Sequence, residues 1–181
     1  MRKAMLSAIA FSILAAAAHA QQTPAADVSV GYSALYVVKG FTFFLQGGNT
    51  SAATNVNNWL GLAGDFGGYH APSGVNNLVA ETYMLGPRFS YRRWERLIPF
   101  GQVLIGGLHA SVAATGFTNS HNAFAFGAGG GADLVLDREG RFALRPQMEY
   151  LGFRATGSTT NNVRLSMGVV LRIGRKQYVR G

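Results

Sequence analysis

Cysteine is absent from the 181-residue chain, which excludes disulfide stapling, thiolate nucleophiles and cysteine-ligated metals at once. Long hydrophobic runs are also missing beyond the first twenty residues, so no later segment has the length and apolarity of a membrane helix. Acidic residues are scarce, 8 against 16 Lys and Arg, giving a formal charge of +8, or +6 without Arg2 and Lys3. A basic excess can serve nucleic-acid binding. Here the positive residues are scattered through alternating segments and turns rather than gathered on one helix or tail, so anionic lipid headgroups are the better match and no nucleic acid is expected.

What is present begins with an export leader. Arg2 and Lys3 precede an apolar stretch from Ala4 through Ala17, and Ala18-His19-Ala20 has the small-x-small pattern of a cleavage site. The expected organisation is a signal peptide over 1–20, a short periplasmic lead over 21–26, one β-barrel over 27–174 and a periplasmic tail over 175–181. Glycine is abundant at 24 residues, many inside strand-like runs. Such glycines weaken a flat soluble sheet but relieve crowding in a narrow, strongly coiled one.

Period-two alternation dominates the remainder. From Asp27 to Val38, Val28, Val30, Tyr32, Ala34, Tyr36 and Val38 share one face, opposite Ser29, Gly31 and Ser33, with Leu35 as an exception. A second strand is expected near 45–56, with Thr50, Ala52, Thr54 and Val56 on one side, and Asn57-Asn58 as its turn. Further strands are expected near 59–68, 79–92, 98–110, 123–136, 141–154 and 161–174. Leu104 and Leu108 disturb the parity of the fifth, and Pro87 and Pro146 each remove a ladder donor that a bulge could absorb. Each strand approaches or exceeds the roughly 9–11 residues that a tilted strand needs to cross hydrocarbon. Short connections after strands two, four and six alternate with polar segments at 39–44, 69–78, 111–122 and 155–160, read as external loops and contact sites. The fold class expected is all-β, an eight-stranded antiparallel transmembrane β-barrel in a bacterial outer membrane.

Parity puts charges on the inward face: Asp65, Arg88, Arg92, Asp133, Arg145, Glu149, Arg164 and Arg172. Hydrocarbon penalises such groups, whereas opposite charges in a narrow lumen can pair, and arginine's fork engages two carboxylate oxygens. Asp133, Glu149 and Arg145 are expected to meet near mid-sheet, with Arg164 and Arg88 close by, as a polar plug or, alternatively, a charged narrow pore or ligand cleft.

Several segments together resemble the outer-membrane β-barrel domains of the outer-membrane-protein-A-like superfamily, particularly its compact stand-alone acidobacterial-type form. They are Val28-Ser-Val-Gly-Tyr-Ser33, Asn57-Asn-Trp-Leu-Gly-Leu62, Gly64-Asp-Phe-Gly-Gly-Tyr-His70, Gly86-Pro-Arg-Phe-Ser-Tyr91, Pro99-Phe100, Gly129-Gly-Gly-Ala-Asp133, Arg145-Pro-Gln-Met-Glu-Tyr150 and Asn161-Asn-Val-Arg-Leu-Ser166. The resemblance implies an eight-stranded transmembrane barrel without a dedicated catalytic set. Residues 175–181 are too few for the peptidoglycan-binding domain that larger members carry, and the chain does not end on the aromatic that barrel-assembly machinery commonly recognises. Expected partners are outer-membrane lipids and, during biogenesis, that machinery; the expected state is a monomer, with any external ligand unnamed.

Two further classes stay open. A lipid-modifying enzyme would need a Ser–His pair; His109 and His121 lie close in sequence to Ser111 and Ser120, and Asp65 lies five residues before His70, without any recognisable motif. A soluble lipocalin-like carrier would place apolar rows inside and polar rows outside. No metal or cofactor is expected: the histidines lack ligand spacing, and Gly129-Gly130-Gly131 lacks the Lys-Ser/Thr and strand-to-helix context of a phosphate loop.

Overall fold

Alternation between small polar and bulky apolar residues carries the chain through eight strands: β1 Ala26–Lys39, β2 Phe41–Asn55, β3 Leu60–His70, β4 Leu78–Ser90, β5 Leu97–Ala114, β6 Phe117–Val135, β7 Phe142–Ala155 and β8 Ser158–Ile173. The structure, a computed structural model, describes residues 25–39, 41–71, 78–94, 96–114, 117–155 and 157–174. The expected leader and the 175–181 tail lie outside the described residues. Every strand pairs antiparallel with its sequence neighbour, and β1 closes on β8 from Ala26↔Ile173 to Val38↔Asn161. Closure leaves no edge strand to aggregate or fray.

The apolar row faces outward. Val30, Phe66, Leu85, Ile105, Phe124, Met148 and Leu165 are all exposed, one from each strand but β2. On β2 the exposed row is Thr50, Ala52 and Thr54. Its hydroxyls are not wasted: Thr50 Oγ1 donates to the Ser29 carbonyl at 3.0 Å and Thr54 Oγ1 to the Ala25 carbonyl at 3.1 Å. Satisfied this way, a threonine can face an apolar medium at little cost.

The lumen has two tiers. Towards the end carrying the β1–β2, β3–β4, β5–β6 and β7–β8 hairpins it is filled by Leu35, Leu45, Tyr69, Met84, Leu104, Leu151 and Phe153. Towards the chain ends it is filled by charges. Leu35 and Leu104, which break the simple alternation, are therefore inward residues of the dry tier, both about 1% exposed, and Leu108 packs against the same cluster.

Three expected loops prove to be strand. Residues 41–44 belong to β2, where Val37↔Phe43 and Lys39↔Phe41 continue the ladder. The 111–122 segment is a ribbon in which Ser111 pairs with Ser120 and Ala114 with Phe117. Ala155↔Ser158 reduces the 155–160 segment to a two-residue connection containing Gly157 at φ 82°. Ser, Thr and Asn read as loop by composition, yet a water-exposed ribbon needs no apolar row. Of the fourth expected loop, 69–78, residues 72–77 lie outside the described residues. The contrast of short against long connections therefore fails as stated; what distinguishes the hairpin end is strand length, with β5 and β6 reaching 18 and 19 residues.

At the opposite end, Asn57 Oδ1 accepts from the Trp59 and Leu60 amides at 2.9 and 2.7 Å, fixing the β2–β3 turn. Asp137 performs the same task for the amides of Arg141 and Phe142, with Gly140 at φ 65°. The two prolines create no bulge. β4–β5 pairing lapses between Leu85↔Ile105 and Arg88↔Gln102, beside Pro87, and β6–β7 pairing lapses between Gly131↔Gln147 and Leu134↔Leu144, beside Pro146. The register is unchanged on either side, so each missing donor costs only local pairing.

Candidate functional site in the lumen

The inward face at the chain-end half brings four arginines and four carboxylates into a sealed interior. Arg88, Arg145, Arg164 and Arg172 and Asp27, Asp65, Asp133 and Glu149 are each no more than 9% exposed. Their formal charges cancel, as a low-dielectric interior requires.

The contacts form a continuous chain. Arg172 Nη2 donates to Asp133 Oδ2 at 2.8 Å. Arg145 grips the same carboxylate with both sides of its fork, Nε to Oδ1 at 2.6 Å and Nη2 to Oδ2 at 3.0 Å. Its Nη2 also reaches Asp27 Oδ1 at 3.0 Å, and Arg88 Nη1 meets that oxygen at 3.1 Å. Arg88 Nε donates to Gln102 Oε1 at 2.8 Å, and Gln102 Nε2 passes the chain to Glu149 Oε1 at 2.6 Å. Glu149 Oε2 accepts from Arg164 Nε at 2.7 Å and from Arg164 Nη2. Finally, Arg164 Nη1 donates to Asp65 Oδ1 at 2.6 Å and to the Tyr69 hydroxyl at 3.1 Å.

Packing holds this geometry. Both the Arg88 and the Arg145 guanidinium lie over the Phe100 ring, 4.8 and 4.9 Å from its centroid, which offsets repulsion between two cations sharing Asp27. Glycine makes the space: a Cβ on Gly129 would come within 2.6 Å of Glu149 Cγ, and one on Gly67 within 2.8 Å of Thr82 Oγ1. Both positions face inward, so Gly129 on β6 leaves room for the Glu149 side chain and Gly67 on β3 for the hydroxyls of Tyr69 and Thr82.

Seven of the eight residues singled out from sequence lie in this chain. Arg92 stands apart at the mouth and donates to the Asn55 carboxamide oxygen at 2.7 Å. The expected meeting of Asp133 with Glu149 is corrected: Asp133 is held by Arg145 and Arg172, while Glu149 is reached through Gln102 and Arg164. Sequence reasoning missed Asp27, Gln102 and Phe100 as members. Asp27 shares parity with Ser29 and Ser33, which is the signal that could have found it.

Hydrolase geometry is not assembled among the described residues. His109 Nδ1 lies 2.7 Å from Asn122 Oδ1, and His121 stands opposite Ala110 in the ladder. Nor do the described residues contain three or more His, Asp or Glu grouped to hold a metal ion.

No protein-family model matches the chain, and no curated protein sequence matches it. Solved structures do. Neisserial surface protein A aligns with a TM-score of 0.71 at 14% identity, over 82% of this chain and 97% of that one. Ail, the attachment invasion locus protein of Yersinia pestis, aligns at 0.61 and 18% identity, over 84% of this chain and 100% of that one. The outer membrane protein OprG of Pseudomonas aeruginosa aligns at 0.53 and 8% identity, over 85% and 99%. The fold is that of a bacterial outer-membrane β-barrel. At these identities the likeness concerns architecture, and the closed lumen described above is a property of this chain's own residues.

Proposed function

We propose that the chain is an integral barrel of the bacterial outer membrane with a structural or surface-contact role, its lumen closed by its own side chains. The observation that carries this reading is the division of faces: exposed Val, Leu, Ile, Phe and Met rows outside, a neutral cluster of eight buried charges inside. A soluble carrier needs the reverse, because a water-covered wall of Val30, Ile105 and Met148 would be an aggregation surface. Interfacial aromatics support the same placement: Trp59, Tyr91 and Trp94 are exposed at the turn end. Residues 1–20 serve as the export leader, and the barrel-assembly machinery inserts the folded sheet. Placement in the compact outer-membrane-protein-A-like form rests on the order of the motifs from Val28 to Ser166.

The role is non-catalytic in this reading. External contacts fall to the hairpins, and the longest ladder among them is that of β5–β6, which stands across the barrel from β1–β2. A pore is disfavoured twice over, by ion pairs that would have to part and by the dry tier of Leu35, Leu104, Leu151 and Phe153 above them. Planar bilayers containing the purified protein should therefore show no discrete conductance steps. Reproducible steps of one size would replace the plugged barrel with a narrow channel.

A further inference from the structure

A notch interrupts the outer wall at the turn end. A groove of about 390 Å³ opens where β4 ends and β5 begins, walled by Trp59, Phe89, Tyr91 and Pro99 and floored by Gly101. Trp59 and Phe89 stack at 6.0 Å and 13°, making one flat side, and Trp94 buttresses Tyr91 edge-on at 5.6 Å. Gly101 occupies an outward position in line with Val103 and Ile105, beside Phe89 on one strand and Gly130 on the other. Nothing in the fold demands glycine there: a Cβ would meet only the Gly129 carbonyl oxygen, at 3.7 Å. The space left is almost wholly apolar-lined and lies at the turn end of the barrel, where aromatic side chains mark the membrane interface.

The connection leaving the groove supplies charge. Arg92 turns to Asn55, but Arg93 and Arg96 are exposed beside it. An apolar slot a few residues from two exposed guanidiniums matches one molecule in particular, a lipid with an acyl chain and an anionic phosphodiester. We propose that this notch seats an acyl chain of an anionic glycerophospholipid of the periplasmic leaflet, its phosphate held by Arg93 and Arg96. The inference rests on the barrel reading above and adds to it a specific site.

Trp59 and Trp94 are the only two tryptophans in the chain, so selectively excited tryptophan fluorescence reports on this place alone. The full chain is refolded into phosphatidylcholine vesicles containing increasing fractions of either acyl-brominated phosphatidylglycerol or acyl-brominated phosphatidylcholine, and quenching is followed. The brominated anionic lipid should reach half-maximal quenching at a mole fraction at least about fivefold lower, the size expected from one arginine near a phosphate. Arg93→Gln with Arg96→Gln should bring the two curves together. Gly101→Leu, which has room for its Cβ, should fill the notch and do the same; heat-modifiable gel migration checks that each variant is folded. Coincident curves for the unaltered protein would overturn the lipid site and leave the barrel standing. No quenching by either lipid would remove Trp59 and Trp94 from hydrocarbon and overturn both.

Discussion

Replacing Arg164 by methionine should destabilise the folded barrel by about 3–5 kcal/mol, measured by urea unfolding in lipid vesicles. Arg164 is fully buried and is the sole positive partner shown for Asp65 and Glu149 at the inner end of the chain of ion pairs. Without it, two carboxylates are left facing each other in a site that water cannot fill, and each loses charge-assisted hydrogen bonds. The cost comes from the orphaned anions rather than from any large net value of the intact pair. Arg164→Met combined with Glu149→Gln and Asp65→Asn should therefore recover most of the loss, because neutral amides can bond to Gln102 and Tyr69 in place of the lost cation. A single variant within about 0.5 kcal/mol of the parent, the range of an ordinary surface change, would show that the network is not sealed.

A second substitution probes the other face. Val103 is 51% exposed on β5, one residue from the fully inward Gln102 and opposite Ala128 on β6. Val103→Arg should cost about 2–4 kcal/mol in vesicles, the penalty for a guanidinium placed near the bilayer midplane on a barrel's lipid face. Val103→Leu at the same position should be close to neutral. If the outer wall met water, Val103→Arg would also be near neutral, since an exposed β position tolerates either residue. The two substitutions test opposite sides of one sheet, and their effects should add, because the positions share no partner.

Strand number and facing were legible because period two survives in every segment that crosses the membrane: one row must satisfy hydrocarbon and the other must fit a narrow lumen. The same logic places Arg88, Arg145 and Arg164 inside from sequence parity alone. It failed where that double constraint is relaxed. In the β5–β6 ribbon beyond Ala110 both faces meet a polar medium in this reading, so Ser111 and Ser120 carry no apolar signature and look like loop. Leu35 and Leu104 break a parity that assigns polar residues to the lumen, because the hairpin half of the lumen is lined by apolar side chains. Asp27 escaped notice at a strand's first turn of alternation, and Gln102 because a neutral side chain gives no charge signal, although it links the two halves of the plug. Pairing partners within the network depend on strand register and shear, which alternation alone does not specify.

The absence of cysteine allows one label to be placed at a time without background. Nitroxides at Ile105 and Val169, both outward and about half exposed, offer the most direct test of which medium surrounds the sheet. In vesicles they should collide freely with dissolved oxygen and scarcely at all with a water-soluble nickel chelate, while a label at Ser120 on the long ribbon should show the opposite. Ready access of the chelate to Ile105 and Val169 would contradict a lipid-facing wall, and with it the membrane barrel.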